Sequence, residues 1–477
     1  MPQDLLCATL GITFTCSIVL LAGSCADGGE SKPDDSWKAR ATQLEEEARE
    51  ASRRIHSEYR CPQRVARPAP EFRAGVAQLD ITPSKPQYLD GYYTDRLSTG
   101  VHTPLSVKAV VLDDGRTRVA LVVMDAIAYF YDWVVEARGI QSAVAPENVV
   151  ICATHTHSGP CLLGVFGPPG KSVDPEYARW IGRQTAQAIE QAAANMRPAR
   201  VGFAQTALPV QNGEIAGVAR NWHNPGVVDP ALLIMRLEET GTGRPIATVI
   251  NHGNHPDVLG DKTTLISADY FGHIYPAVTS ALGGPTLIFN RALGGVEPIG
   301  QGENDLVKAE EHMKRIAGIV SENAIRAAGA VEWAESPRVS IRRTRCEFPL
   351  LSKEMQEVIA RGMSPVQPKN GAAVAEMSLV EIGPAQMLTV PGEVHPEVAF
   401  KLCDMMAARY RFILSMADDE IGYVVPAELY NPEGIQEMLS TGQDNEFVVL
   451  AAAARLLGVN GYVEPECLVG KKSRLPQ

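Results

Sequence analysis

Residues 148–160 read NVVICATHTHSGP, an apolar stretch that ends in two histidines separated by one threonine. The apolar residues Val149 to Ala153 predict a short buried strand. Side chains two positions apart on an extended chain point to one face, so the pattern predicts that His155 and His157 present ring nitrogens to one metal ion. Taken alone, such a pair is also compatible with an ordinary loop, so the choice between a loop and a metal site depends on the other motifs of the chain.

Three other apolar stretches also run into polar, metal-competent residues. They are PIATVINHGNHPDVLG at 245–260, AQMLTVPGEVHPE at 385–397 and RFILSMADDEIGYVV at 411–425. Each has a simple alternative explanation, such as a loop histidine, a carboxylate that complements a helix dipole, or a solvated acidic turn. Since α/β proteins place their sites at the carboxyl ends of strands, the four stretches together predict a His/His/Glu zinc site with one position open for water.

From Gly75 onward, strand and helix patterns alternate densely. Residues 106–125 predict a hairpin of two apolar strands joined by Asp-Asp-Gly, and apolar residues at helical spacing predict helices over 176–196 and 305–330. The sequence therefore predicts one α/β domain over residues 71–477.

The N-terminal residues predict export. Leu5 to Ala22 form a nearly continuous apolar run, which is typical of a signal peptide (residues 1–25) or a short membrane anchor, with a buried helix as the alternative. Small residues before Cys25 resemble a lipoprotein cleavage site, so lipidation of Cys25 would attach the chain to a membrane. We expect a periplasmic, membrane-anchored or secreted protein. Residues 26–70 predict a charged helix and a Pro-rich spacer.

Composition narrows the class of function. The chain has 477 residues, of which 45% are hydrophobic and 21% charged, with a formal net charge of −12. An acidic chain without a long basic run argues against a nucleic-acid partner. GVFGPPGKS at 164–172 departs from the spacing of a phosphate-binding loop, and the chain lacks a Gly-x-Ser-x-Gly elbow. A soluble enzyme or a binding protein remains.

Several short motifs, in this order along the chain, resemble the neutral/alkaline non-lysosomal ceramidases. They are GVAQLDITP at 75–83, Gly91-Tyr92, ATHTHSGP at 153–160, His255-Pro256, Pro391-Gly392-Glu393 and Gly422-Tyr423. The resemblance implies an α/β catalytic domain of mixed β-sheets flanked by helices, and a zinc amidase that cleaves the N-acyl bond of ceramide.

The resemblance also implies roles for single residues. It places His157 close to the zinc-bound water and Arg220, in VARN, against the substrate. The implied zinc ligands are His155, His255, Glu393 and Tyr423. In this mechanism His157 or Glu297 moves the proton of the water, and Tyr423 stabilises the developing oxyanion.

Two departures from the family weaken ceramide as the substrate. The stretch ALGGVEPIG places Gly295 and Glu297 where the family has the Asp and Ser of Gly-Asp-Val-Ser-Pro. Too few residues follow Tyr423 for an immunoglobulin-like sandwich of about 100 residues, so we expect no such C-terminal domain. A carboxylate beside zinc favours a smaller or more polar substrate than ceramide. The alternatives are a zinc-dependent ester or lactone hydrolase and a non-catalytic binding lipoprotein on the same fold.

Overall fold

The structure is a computed structural model. It describes residues 40, 42–50, 53, 71–168, 170, 172–361, 364, 366 and 368–459. The chain divides between Arg67 and Pro68 into two units. The signal peptide over residues 1–25, the lipidation of Cys25 and most of the spacer lie outside the described residues and stay predictions.

Residues 40, 42–50 and 53 of the first unit are helical, as predicted for the charged segment. Arg49 Nη2 lies 2.6 Å from Glu45 Oε1, and Gln43 Nε2 donates to Glu47 Oε1 at 2.9 Å. Both pairs are one helical turn apart, so they support the helix through side-chain contacts on an exposed surface.

The second unit alternates strands and helices. Its described strands are β1 (Arg73–Asp80), β2 (Gly100–Val101), β3 (Ser106–Asp113), β4 (Arg118–Met124), β5 (Val149–Ala153), β6 (Arg197–Ala207), β7 (Val210–Gln211), β8 (Glu214–Ile215), β9 (Ala219–Asn221), β10 (Ala231–Glu239), β11 (Pro245–His252), β12 (Leu265–Ile266), β13 (Thr286–Asn290), β14 (Val296–Pro298), β15 (Glu332–Trp333), β16 (Val339–Pro349), β17 (Ala372–Ile382), β18 (Ala385–Thr389), β19 (Glu393–Val394), β20 (Tyr410–Leu414) and β21 (Tyr423–Val424). Its described α-helices are Tyr131–Ile140, Pro175–Ala194, Phe271–Leu282, Leu306–Ala328, Lys353–Ala360, Pro396–Met405, Ile435–Met438 and Asn445–Leu457.

Two mixed sheets form the frame of this unit. Within the described residues, one sheet has the order β13-β11-β10-β6-β1-β3-β4-β5 with β15 on β6, and the other has the order β16-β17-β18-β20. The predicted hairpin is confirmed, since β3 and β4 pair antiparallel. The pairs β4–β5, β11–β13 and β18–β20 are parallel. The mixed α/β fold is therefore confirmed.

Apolar side chains alternate between the two faces of each sheet, which stacks the elements in layers. Leu121 and Phe203 of the larger sheet pack with Met387 and Phe412 of the smaller one between the sheets. The outer face of the larger sheet packs on three helices, which contribute Ile181, Ile274 and Met313 to the core. The outer face of the smaller sheet packs on the helix Asn445–Leu457, which contributes Val449. The result is a helix, sheet, sheet, helix order.

Both long predicted helices are confirmed, and each begins at an aspartate cap. Asp174 accepts hydrogen bonds from the backbone N–H groups of Glu176 and Tyr177 at the start of Pro175–Ala194. Asp305 caps Leu306–Ala328 in the same way. These carboxylates satisfy N–H groups that have no partner inside the helix.

The described residues after Tyr423 include the helices Ile435–Met438 and Asn445–Leu457, and Val449 of the second helix packs with apolar residues of the smaller sheet. Among the described helices, none combines the length and the apolar character needed to cross a membrane.

Lys108 is an exception within the core. It points from β3 into the interior with 1% exposure, and its Nζ lies over the ring of Tyr275 with no hydrogen-bond acceptor among the described residues. Burial lowers the pKa of Lys108 to about 7, although Asp125 opposes this change.

Replacing Lys108 with Met is expected to raise the free energy of unfolding by about 1–3 kcal/mol at pH 7, because it removes an unsatisfied buried ammonium. The unfolded pKa is 10.5, so the wild-type penalty is complete below pH 7 and fades as the pH rises towards 10.5. Urea titrations at pH 7 and pH 9 measure both effects. Lys85→Met, at an exposed position, is the control; an equal gain in both variants, or a larger gain at pH 9, contradicts the prediction.

Candidate active site

The backbone of His155 leaves the strand conformation directly after β5. Its φ is 68°, a left-handed value that is uncommon for a residue with a side chain. The backbone N–H donates to Ala126 O at 2.8 Å, and Nδ1 lies 2.7 Å from Ile127 O. The prediction that strand pleating aligns His155 with His157 is therefore wrong in its geometry. A tight turn brings the two rings together, with centroids 5.0 Å apart.

His255 lies three residues after β11 and is held in a similar way. Its Nδ1 is 3.0 Å from Val296 O, which directs Nε2 into the site. Nε2 of His255 lies 2.8 Å from Glu393 Oε2, and Nε2 of His155 lies 3.5 Å from the same oxygen. Two imidazoles that each donate Nδ1–H to a carbonyl and converge through Nε2 are arranged as metal-binding histidines usually are.

Glu393 and Tyr423 are brought together by a short parallel pair. β19 and β21 follow β18 and β20, and they align Glu393 with Tyr423. The Tyr423 hydroxyl hydrogen-bonds to the Glu393 carboxylate, and its ring stacks on His255 at 6.4 Å. Burial alone would raise the pKa of Glu393, but His155 and His255 outweigh it and lower that pKa. Glu393 is therefore a buried carboxylate that stays ionised.

His157 completes the group of three rings. Reactive atoms of His155, His157 and His255 lie within 4.8 Å of one another. Both ring nitrogens of His157 lack a hydrogen-bond partner among the described residues. Burial, followed by the two neighbouring imidazoles, lowers the pKa of His157 well below its usual value. Its ring is neutral at physiological pH and has a free nitrogen available.

Contacts from the segment that precedes β2 fix the position of His157. Gly91 has φ of 99°, and a Cβ at this position would lie 2.4 Å from His157 Cβ, so glycine is required there. The ring of Tyr92 meets that of His157 edge to face at 5.7 Å, and Arg96 Nη2 donates to His157 O at 2.8 Å. The Gly91-Tyr92 motif therefore shapes the site.

Glu297 lies inside the cluster rather than in solvent. Its Oε2 is 3.7 Å from His255 Nδ1 and has no hydrogen-bond partner among the described residues. Asp257 hydrogen-bonds to Glu297, and Gln301 donates to Asp257 Oδ2 at 2.9 Å. Burial raises the pKa of both carboxyl groups, and their mutual repulsion adds to the rise for Asp257. Asp257 was not predicted as a site residue, although its position two residues after His255 was a usable signal.

Arg220 lies opposite Glu297 on a neighbouring strand. β9 and β14 pair antiparallel, and Arg220 is directly opposite Glu297. Directly opposed side chains share a face of such a pair. The guanidinium lies 4.0 Å from the centroid of the half-exposed Trp222 ring. The structure thus brings Arg220 to the edge of the cluster.

Other polar residues of the four stretches have structural roles. Asp418 Oδ2 forms an ion pair with Arg138 Nη2 at 2.6 Å, and the carboxylate accepts hydrogen bonds from Arg343 Nη1 at 3.0 Å and from the backbone N–H of Ile151 at 2.8 Å. His252 is buried away from the cluster, and burial lowers its pKa to about 4.

Asp419 and Glu420 shape the turn that precedes Tyr423. Asp419 Oδ1 accepts from the backbone N–H groups of Tyr131 and Glu420. Glu420 accepts from the backbone N–H of Gly422 at 2.6 Å and lines the cavity described next. This acidic run therefore folds the backbone around the site.

A cavity of about 380 Å³ is lined in part by His155, His157 and Glu393. Its walls are mostly apolar and include Phe130, Leu163, Val165, Phe166, Met355 and Ile359. Apolar walls with a few convergent polar groups are typical of pockets for hydrophobic ligands. This lining does not support the expectation of a small polar substrate.

The donor set fits zinc. Two imidazole nitrogens and one ionised carboxylate oxygen converge, and both imidazoles are oriented by carbonyl oxygens on their other nitrogen. Nitrogen and oxygen ligands of this kind are those that catalytic zinc sites use. The orphaned nitrogens of His157 add a free base beside them.

Comparison with known proteins agrees with this geometry. The family model for neutral/alkaline non-lysosomal ceramidase, N-terminal, matches residues 72–280. This range contains His155, His157, Arg220 and His255 but ends before Glu297, Glu393 and Tyr423. Neutral ceramidase A of Dictyostelium discoideum is 26% identical over 222 residues, which is 42% of this chain and 31% of that protein. The chain thus matches about a third of the length of this curated relative.

Solved structures extend the likeness to most of the chain. The neutral ceramidase from Pseudomonas aeruginosa superposes with a TM-score of 0.63 and 18% identity, over 83% of this chain and 77% of that one. A structure described as ceramidase complexed with C2 gives 0.65 and 16% over the same shares. At these identities the superposition shows the fold. The sequence match and the fold together confirm the resemblance of this chain to the neutral/alkaline non-lysosomal ceramidase family.

Proposed function

We propose that this protein is a zinc-dependent hydrolase that cleaves the N-acyl amide bond of a lipid-like substrate. The main support is the apolar cavity that is lined in part by His155, His157 and Glu393. An acyl chain fits such walls, and the polar end of the cavity holds the groups that amide hydrolysis requires. The ceramidase relatives support the same class of reaction.

The ligand set follows from the contacts. His155 and His255 would bind zinc through Nε2, and Glu393 would bind it through Oε2, the oxygen that lies near both rings. Tyr423 reaches the same carboxylate through its hydroxyl and is the fourth candidate. When bound, zinc supplies a Lewis acid that lowers the pKa of water towards about 7 and polarises the scissile carbonyl.

The remaining residues move protons and stabilise charge. His157 is neutral and has free ring nitrogens, so it accepts the proton of the attacking water. Glu297, whose Oε2 has no hydrogen-bond partner among the described residues, returns a proton to the leaving amine. With Glu393 bound to the metal, the hydroxyl of Tyr423 would turn from that carboxylate and donate its one proton in a hydrogen bond to the oxyanion that develops on the carbonyl.

Esters and lactones pass through a similar tetrahedral intermediate, so the same residues serve a zinc-dependent ester or lactone hydrolase. A non-catalytic binding protein is the other alternative. The orphaned base His157 beside the convergent donors favours a catalyst over a binding module. Rates on matched N-acyl, ester and lactone substrates of equal chain length decide between the bonds.

His155→Ala is expected to remove one zinc ion per chain relative to the wild type and to lower hydrolysis by more than ~100-fold, because it deletes a ligand and not merely a supporting contact. Mass spectrometry of metal content and a substrate assay measure the two effects. His312→Ala, on the surface of helix Leu306–Ala328, is the control. Wild-type zinc content and activity in His155→Ala would refute the assignment.

Ile359→Glu places a carboxylate in the apolar wall of the cavity. It is expected to raise KM for long-chain N-acyl substrates about tenfold and to leave short-chain substrates unaffected, since burying a charge against an acyl chain is unfavourable. Ala360→Glu adds the same charge at the adjacent exposed position that does not line the cavity. Equal effects on short and long chains, or an equal effect of the control, would contradict an acyl site.

Glu297→Gln is expected to lower kcat by about 10²-fold with little change in KM, because the amide has the same size but cannot donate an acidic proton. Glu297→Ser, which introduces the residue of the family motif, is assayed in parallel against ceramide and the best short-chain substrate. Unchanged kcat in both variants on both substrates shows that Glu297 takes no part in the reaction.

A further inference from the structure

A second group of metal-competent side chains lies outside the candidate active site. Nε2 of His102 lies 3.1 Å from Glu310 Oε2, and Nε2 of His273 lies 3.2 Å from the same oxygen. The three ligand atoms lie within 4.8 Å of one another. We propose that His102, His273 and Glu310 form a second binding site for a divalent transition metal of the zinc class.

Three separate elements supply these residues. His102 directly follows β2, His273 lies in the first turn of helix Phe271–Leu282, and Glu310 lies in helix Leu306–Ala328. The two helices share one core, in which Ile274 and Met313 are buried. The positions of His273 and Glu310 are therefore set by helix packing and not by the cluster itself.

The distances fit a tetrahedral ion. Ligands at about 2.0–2.1 Å from a tetrahedral zinc lie about 3.3 Å from one another, close to the two nitrogen–oxygen distances observed. Direct hydrogen bonds from both rings to Glu310 give the same distances, and that is the alternative which the experiment must separate. Imidazole with carboxylate oxygen is a ligand set that suits zinc and its neighbours in the first transition series.

Neighbouring side chains orient the proposed metal ligands. His102 Nδ1 lies 3.2 Å from Ser267 Oγ, so the hydroxyl orients the ring and leaves Nε2 for the metal. Lys314 Nζ lies 2.9 Å from Glu310 Oε1, which holds the other carboxylate oxygen. The side chains of His102 and His273 are each 22% exposed, which leaves access for the ion and for a water as fourth ligand.

Ser267 connects this cluster to the loop of His155 and His157. Thr156 Oγ1 donates to Ser267 O at 2.7 Å, and the Ser267 N–H donates to Ser158 O at 2.9 Å. An ion bound by His102 would therefore hold the segment against which this histidine loop is hydrogen-bonded. The second site is structural, and its ion stabilises the fold.

The experiment measures metal binding in the full chain. Zinc-depleted protein is titrated with Co²⁺, followed by the visible absorption of tetrahedral Co²⁺, and zinc content is measured by mass spectrometry. We expect about two ions per chain in the wild type and about one in either His155→Ala or Glu310→Gln. Glu311→Gln, the exposed neighbour on the same helix, should retain two. Excess Zn²⁺ should raise the Tm of His155→Ala, and adding Glu310→Gln should abolish that rise.

Failure of this proposal is distinguishable from failure of the hydrolase assignment. If Glu310→Gln and Glu311→Gln bind equal amounts of Co²⁺ and zinc, the cluster is a hydrogen-bonded group and the second site is refuted, whatever the activity. Circular dichroism checks that Glu310→Gln folds. His102→Ala, at a partly exposed position directly after β2, gives the same test if Glu310→Gln does not fold, and wild-type stoichiometry in that variant also refutes the proposal.

Discussion

The buried carboxylate of Glu393 is the interaction around which the candidate active site is organised. A carboxylate removed from water is strongly destabilising unless charge or hydrogen bonds compensate it. His255, whose pKa is raised by Glu297 and Glu393 despite burial, provides that compensation through Nε2. Tyr423 adds a hydroxyl, and Nε2 of His155 lies 3.5 Å from Glu393 Oε2. These four residues are distant in sequence, so the two sheets and their flanking helices must hold their strand ends within hydrogen-bonding distance.

Hydrogen bonds between the two sheets achieve this. Asn251 Nδ2, next to the end of β11, donates to Ile413 O of β20 at 2.8 Å, and Ala153 N donates to Met416 O at 3.0 Å. Three residues near these hydrogen bonds have a left-handed backbone conformation. They are His155, Met416 and Asp418, with φ of 68°, 55° and 66°. Such conformations are unfavourable by about 1–3 kcal/mol each and persist only where the surrounding packing fixes them. The packed core therefore holds these residues beside the site in an unfavourable backbone conformation.

The sequence predicted the parts of this arrangement that follow from local pattern. Apolar strands that run into polar residues identified His155, His255, Glu393 and Tyr423. The Asp-Asp-Gly turn between two apolar strands identified the hairpin, and helical spacing of apolar residues identified the long helices. It could not predict the left-handed turn at His155, because backbone strain depends on the surrounding core. Asp418 looked like its acidic neighbours, although two arginines from other elements bind it. His102, His273 and Glu310 come from three separate parts of the chain that only tertiary packing brings together, so no local sequence motif predicts their cluster.

The apolar cavity and the acidic residues have to be considered together. Glu297 and Asp257 are buried, and burial raises the pKa of both, which shifts each carboxyl group towards its uncharged form. An uncharged carboxyl group is tolerated beside an acyl chain far better than a carboxylate. Burial therefore weakens the objection to a lipid substrate that a carboxyl group at position 297 raises. Because apolar walls exclude water, hydrogen bonds and charges at the end of the cavity act in a low dielectric and are stronger there than in solvent. The same burial that admits a hydrophobic substrate thus strengthens the polar groups that act on its carbonyl.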